Sequence, residues 1–395
     1  MNSDFHYYAT YCAAILAGYS HGEAQDIAYS DQLVDFCTRT LLIKLKAPSS
    51  AATTQLQLEL MDARTDRIGL QDITRIWSSF HFLPGDLQAT PPKRCSKRYK
   101  WKYRLICKPN GELLEPTVNL AKDKSLQAVG LAMHVLADTW AHQNFAGTPS
   151  LVINNTNQYF FELFEDGDGY REKKISFRHS VSAPDDLENS IYTNSLYTNS
   201  EKSIMNLGHG RAGHLPDFSF IRYKYLPAWG NYEEIIKDNP SDYWHAFTQM
   251  VYAMKYLRGG IESFETDRYD TEAVEPYREK IEGIIKKRQP DAADDWKALG
   301  KELSGSEPEP FDIERYQDEY TNAAENEKDG TFIGRFILAA LAQKSMVTNR
   351  IYRSGSKLAG YSIDYQTKGF RGLEDFRRLI QNNGGGKQSW IHFNV

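Results

Sequence analysis

Cysteine is scarce in this chain and carries no pattern. Cys12, Cys37, Cys95 and Cys107 form no Cys-x2-Cys pair and no metal-type spacing. Cys12 and Cys37 fall within expected helices and read as buried thiols. Cys95 and Cys107 flank an extended-looking stretch; reduced thiols are favoured there over a pairing. Long apolar runs are missing too. The longest, Phe332 to Leu341, is broken by Gly334 and Arg335 and is too short to span a bilayer. The start of the chain has neither a basic n-region nor an apolar h-region. The expectation is synthesis in the cytoplasm without a cleavable signal peptide, any export using a signal-independent route. Nor is there an excess of one charge: a net charge of −5 argues against a generic nucleic-acid coat but leaves room for a local basic patch. With 41% hydrophobic and 25% charged residues, the composition excludes disorder and a membrane-embedded fold. The 395 residues suffice for one large domain or two. Tyrosine is abundant, at 24 residues, and suits a core or a ligand cleft.

Histidine is also uncommon, with ten in the chain, yet six of them fall with three aspartates into short clusters. The densest is His134-Val-Leu-Ala-Asp138-Thr-Trp-Ala-His142, inside an Ala/Leu-rich run. On a helix, four residues advance about 40° around the axis and about 6 Å along it. The i, i+4, i+8 side chains therefore point one way in a row roughly 12 Å long. That is too long for its ends to share one small ion at ~2 Å bonds, so the row suits two or more metals with Asp138 as the bridge. A single His-x3-Asp is commonly only a hydrogen-bonded pair; the third residue in register and the other clusters favour metal. The second cluster, Gly208-His209-Gly210-Arg211-Ala212-Gly213-His214-Leu215-Pro216-Asp217, has the glycines that a loop folded around a site needs. Such donors suit zinc, and manganese or iron also accept them.

Two further pieces lie upstream. Asp4-Phe5-His6-Tyr7-Tyr8 is near the start, and Ser78-Ser79-Phe80-His81-Phe82-Leu83-Pro84-Gly85-Asp86 sets a histidine between phenylalanines before a Pro-Gly turn. Between them, Ser20 and Glu23 read as a capping box. The helix it opens carries Asp26, Asp31 and Asp35.

The order of these elements resembles the zinc-dependent phospholipase C fold, shared with zinc-dependent single-strand nucleases of fungi and plants. The resemblance covers roughly residues 1–220. It implies an all-helical enzyme in which His6 matches the early histidine and Asp35, or else Asp31, the aspartate. His81 matches the His-Phe ligand, His134 and Asp138 the His-x3-Asp, and His142 the histidine that follows. His209 or His214, with Asp217, supplies the closing pair. The chain departs from that family in its short Asp138–His142 gap and in closing with His-x4-His-x2-Asp rather than His-x3-Glu. In the family the mature amino terminus is a metal ligand; here Asp4 with His6 is expected to take that place. The opening Asp-Phe-His-Tyr and the Gly-His-Gly-Arg stretch also resemble a bacterial family with no assigned activity.

The expected fold is mainly α: a multi-helical phospholipase C/nuclease-like core with minor β-hairpin insertions and a C-terminal helical extension. Helical periodicity marks 4–18, 20–46, 120–146, 241–258, 270–288 and 312–346. Residues 47–66 read as a connection or short strand. Residues 95–108 read as a strand, with Tyr99, Trp101 and Tyr103 alternating with Arg98, Lys100, Lys102 and Arg104. That strand is either a phosphate- or nucleic-acid-facing ribbon or, preferably, an amphipathic hairpin with a solvated Lys/Arg face. Asp166-Gly167-Asp168-Gly169 marks a turn, the Tyr-Thr-Asn-Ser repeat within 189–200 a polar loop or lid, and Asn382 to Gly386 a linker. Residues 1–262 are assigned to a metal-binding catalytic domain with β-like insertions near 70–108 and 150–180. Residues 263–395 are assigned to a helical region that packs on it or presents a surface to a protein partner. The expected chemistry is phosphodiester hydrolysis at a site of two or three metals, zinc foremost. Asp35 serves as ligand and proton acceptor. Arg211 either neutralises phosphate charge or pairs structurally. A phospholipid is favoured over a nucleic acid as substrate, with a zinc-dependent nuclease as the alternative. The reading from another class is a structural-zinc binding or toxin/effector protein without catalysis.

Overall fold

The computed structural model of the chain describes residues 1–167, 169–178, 184–194 and 207–362. The fold is mainly helical. Its axis is the helix Leu126–Ala141, opened by Ser125, whose side chain accepts from the Ala128 amide. This helix is apolar nearly all round, which requires neighbours on every side, and every residue from Gln127 to Ala141 is buried. The neighbours are His21–Leu33, Asn239–Leu257, Phe332–Arg353 and Leu114–Ala121. The first begins with the capping box the sequence predicts: Ser20 accepts from the Glu23 amide and Glu23 accepts from the Ser20 amide. Gly130 sets how closely it packs. A Cβ there would stand 2.2 Å from the Ile27 carbonyl oxygen and 2.9 Å from the Asp31 amide nitrogen. Only glycine admits that approach, and Ser30 Oγ seals it by donating to the Gln127 carbonyl at 2.7 Å.

Two expected helices are each divided. The 120–146 run narrows to Leu126–Ala141: its first two residues end a separate helix, Leu114–Ala121, left-handed Asp123 lies between the two, and the run stops at Ala141 with His142 as its C-cap. The 20–46 run stops at Leu33 and resumes at Arg39, where the Thr38 side chain accepts from the Leu41 amide. Asp35 therefore lies in a turn, not on the helix. Near the start, Asp4–Ala9 forms a π-helical turn that continues as the α-helix Thr10–Leu16. Such widened turns recur at functional sites, and this one carries His6.

The expected strand over 95–108 is a helix, Lys97–Tyr103, capped by Ser96. Tyr99 and Tyr103 are four apart, so a helix places them on one face. Their rings stack at 6.3 Å and pack against the core. The same positions satisfy an alternating pattern, which is why the sequence suggested a strand. Only isolated bridges follow, Pro84 with Cys107 and Ile106 with Ala146. Residues 47–66 likewise contain the helix Gln57–Ala63. All four cysteines are free, Cys95 exposed and the others buried.

An antiparallel sheet lies beyond the helices. It runs Gly169–Lys174, Phe161–Asp166, Arg222–Tyr225, Ile235–Asp238, and its first hairpin turns at the expected Asp-Gly site. With Phe82, Phe145 and Leu215 it forms a smaller core beneath the 207–221 loop. Residues past 262 enter the main core, among them Phe264, Trp296, Phe336 and Ile337. No helix among the described residues is long and apolar enough to cross a membrane. Residues 189–194 of the proposed lid are described, Ile191–Thr193 as a strand; its residues 195–200 and the Asn382–Gly386 linker lie outside the described residues.

Candidate metal centre

The central helix presents its His134, Asp138 and His142 row to the π-helical turn, to the end of His21–Leu33, to the His81 turn and to the 207–217 loop. Three sets of donor atoms result, each within 4.8 Å of one another: His6, Asp31 and His134; Asp35, His81 and His134; and His142, His209 and Asp217. In the first, His6 Nδ1 stands 2.8 Å and His134 Nδ1 3.0 Å from Asp31 Oδ1. In the second, His134 Nε2 is 3.3 Å from His81 Nδ1, and each of these nitrogens is 3.8 Å from Asp35 Oδ1. In the third, His142 Nε2 is 3.1 Å from Asp217 Oδ1 and His209 Nε2 is 3.6 Å from Asp217 Oδ2. These sets can hold metal ions.

Asp138 lies among all three. Its Oδ1 is 3.2 Å from His6 Nε2. Its Oδ2 is 3.2 Å from His81 Nδ1, 3.3 Å from His134 Nε2 and 3.4 Å from His142 Nδ1. The Met1 amino nitrogen is 2.8 Å from Asp138 Oδ1. Asp4, expected to join His6, instead accepts from the Ala292 amide at 2.8 Å and from Phe5. The π-helical turn sends His6 inward and Asp4 toward the helix Ala293–Ser304.

Backbone carbonyls set the tautomers of three histidines, because a carbonyl only accepts. His81 Nε2–H donates to Thr53 O at 3.0 Å, His142 Nδ1–H to His81 O at 2.8 Å and His209 Nδ1–H to Gly213 O at 2.6 Å. The other nitrogen of each ring is left with a lone pair facing the carboxylates, the arrangement that orients metal-binding imidazoles. Asp31 is similarly held, its Oδ2 accepting from Thr10 Oγ1 at 2.7 Å. His6 Nδ1 is buried and makes no hydrogen bond although Asp31 Oδ1 is 2.8 Å away. Two donors that converge without bonding each other fit a shared cation.

The charges point the same way. Burial opposes ionisation of Asp138, yet His142, the Met1 amine and His134 hold it well below the usual carboxylate range. Asp217 is held low against burial by His209 and its neighbours. Burial depresses His134, but Asp138 and Asp35 outweigh it and lift the imidazole to about 10. Burial takes His209 down to about 4 and lowers His81. Without a cation, protons must hold these carboxylates together; divalent ions do so more directly.

Access differs among the sets. His6, Asp31 and His134 have 0% exposure, whereas Asp35 is 32% exposed and His209 18%. His214 lies outside the three sets. It is mostly exposed, and its Nδ1 approaches Asp217 Oδ2 to 3.3 Å. Arg211 is half-buried on the turn between His209 and His214. That turn needs its glycines: Gly208 and Gly213 have φ of +54° and +57°, and Cβ atoms would strike the Phe82 ring and the Thr193 carbonyl.

Several contributors carry no motif. Asp31 and Asp35 both enter, where the resemblance offered one or the other, because the helix ends between them. Thr10 was one of many buried threonines, and the Thr53 carbonyl has no residue-type signature. Lys237, 2% exposed, donates to the Trp140 carbonyl at 2.7 Å and pairs with Asp242, which also accepts from Gln143 at 2.8 Å. A cation at a helix C-terminus complements its dipole; here it also fixes the turn that carries His142. Comparison with curated proteins and with solved structures found no match. Residues 1–351 match the family of unknown function DUF6765, and the chain belongs to that family.

Proposed function

We propose that this protein is a metal-dependent phosphodiester hydrolase, phospholipase C-like, with zinc the favoured metal and a phospholipid the favoured substrate. The observation that carries the reading is the set of three donor groups joined through His134 and Asp138, with carbonyl-locked imidazoles facing carboxylates. His6, Asp31, Asp35, His81, His134, Asp138, His142, His209 and Asp217 would hold two or three ions, with His214 at the edge. Bound there, such ions lower the pKa of water and polarise a phosphoryl oxygen. The remaining work belongs to the chain. Asp35, the most exposed of the grouped carboxylates, would accept a proton from the attacking water. Arg211, on the turn beside His209, would meet phosphate charge or pair structurally. The phospholipid preference rests on the net negative charge of the chain, since a nucleic-acid binder usually carries a broad positive footprint.

A second reading applies to one group. The complete burial of His6, Asp31 and His134 suits a structural ion, which is enclosed by protein ligands. The test is elemental analysis followed by incubation of the zinc-loaded protein with phosphatidylcholine, phosphatidylethanolamine and single-stranded DNA, with and without chelator. Two or more zinc ions per chain and chelator-sensitive phospholipid cleavage are expected. Cleavage of DNA alone makes the protein a nuclease. Bound zinc with no cleavage leaves the structural reading, and less than one metal per chain removes both.

A further inference from the structure

Between Asp86 and Glu112 the chain carries eight lysines and arginines and no acidic residue, in a protein of net charge −5. Two of these cations turn inward. Lys102 Nζ donates to the Pro149 carbonyl at 2.9 Å, and Arg104 donates to the carbonyls of Ala89 and Ser354 at 3.1 and 3.2 Å. Lys93, Arg94, Lys97, Arg98 and Lys100 lie at or near the surface on and before the helix Lys97–Tyr103. Among the described residues no carboxylate pairs with any of them. The helix Arg278–Lys286 behaves differently: its Arg278, Lys280 and Lys286, and Lys287 just after it, each meet a glutamate or aspartate. Concentrated cations without counterions are electrostatically costly unless an anion meets them.

The same side of the molecule carries exposed apolar groups. The Arg104 bond to Ser354 brings the segment after Phe332–Arg353 alongside the basic helix. There Tyr352 and Tyr361 are 40% and 62% exposed, their rings edge to face at 5.5 Å. Gln71 and Arg75 bind this segment through the carbonyls of Lys357 and Ala359, at 3.2 and 2.6 Å. On their helix, Arg67–Phe80, Ile68 is 60% exposed. Both elements lead to the metal centre. The helix Arg67–Phe80 runs directly into His81, and the residues after the basic helix bridge to Pro84 and Ala146.

We infer that this face docks on an anionic lipid surface. The unpaired cations would meet headgroup phosphates, and the two tyrosines with Ile68 would enter the interfacial layer, where rings with polar tips are favoured. A single nucleic-acid strand fits less well, because bases stack on rings interleaved with the cations that hold the backbone, and the rings of the basic helix are taken. Tyr99 and Tyr103 are turned against the core, and Lys97 Nζ sits over the Trp101 ring at 5.3 Å. The exposed Ile68 would have no role there. This inference does not depend on which reaction the metal centre performs.

Flotation of the full chain tests it, using vesicles of phosphatidylcholine alone and of phosphatidylcholine with phosphatidylglycerol. Binding only to the anionic vesicles, weakened by salt, is expected. In Lys97→Gln/Arg98→Gln the affinity should fall about 25-fold, about fivefold per cation. Tyr361→Ser should lower it further, while metal content and melting temperature stay unchanged in both variants. Equal binding to both vesicle types, no binding to either, or anionic binding that ignores the cation changes would overturn the inference. Binding of single-stranded DNA through the same cations, with no vesicle binding, would assign the face to nucleic acid instead. Vesicle binding is read without turnover, so its failure is distinguishable from failure of the hydrolase reading.

Discussion

At Asp138 one carboxylate faces five nitrogens. Oδ1 lies near His6 and the Met1 amine, and Oδ2 near His81, His134 and His142. Asparagine would keep its size but replace an acceptor with an amide donor and remove the charge. Asp138→Asn is therefore expected to cost at least one metal ion per chain and, on the proposed hydrolase reading, about 100-fold in phosphodiester turnover. His21→Ala is the comparison. His21 bonds the Tyr11 hydroxyl at 2.6 Å, outside the three donor sets, and its removal should leave metal content intact. Elemental analysis of both variants decides. Equal loss in both would mean general unfolding rather than a site. At this scale much was legible. His134, Asp138 and His142 stand at a spacing that only a helix makes into a row, and His81 and Asp217 lie beside turn residues. The carbonyls of Thr53, His81 and Gly213 were not legible, because every residue has one and only the folded chain selects which of them faces an imidazole.

Among the elements, the close contact between His21–Leu33 and the central helix is what delivers Asp31 to His134. Gly130→Ala would drive a Cβ into the Ile27 carbonyl at 2.2 Å. Alanine favours a helix by up to about 1 kcal/mol over glycine, but overpacking of this kind typically costs about 1–3 kcal/mol. A lower melting temperature and weaker metal binding are expected together. Gly283→Ala gives the opposite sign. That glycine is exposed on the helix Arg278–Lys286 with nothing within 4 Å of its added Cβ, so stability should rise. Calorimetry on the pair checks this; an unchanged or raised melting temperature for Gly130→Ala would show that the helices do not depend on the close approach. The sequence disclosed which stretches are helical but not where they break. Periodicity continues through Lys122–Ser125 and Val34–Thr38, and the breaks come from caps and a left-handed aspartate. The basic stretch misled for a related reason: aromatics at every second position also satisfy i, i+4 pairing, and Ser96 as a cap decides for the helix.

Across the whole molecule, donors from residues 6, 31, 35, 81, 134, 142, 209 and 217 gather in three adjoining sets around Asp138, so the metal centre ties together segments far apart in the chain. Cations bound only by the folded state stabilise it by mass action. Removing them by chelation should lower the melting temperature, and pH should set by how much. In the metal-free fold burial opposes protonation of His134, but Asp138 and Asp35 prevail and its pKa is raised from 6.5 to about 10. The stability from that proton is fully present below about 6.5 and is lost as pH rises through about 10. Metal binding requires His134 without its added proton, so loading releases a proton over this window and grows tighter toward its upper end. The melting gap between zinc-loaded and chelated protein should therefore widen from pH 6.5 toward pH 10. Scanning calorimetry of both forms across this range measures it. A gap that stays constant or narrows would mean that no metal displaces the proton on His134, and that the row on the central helix is held by protons alone.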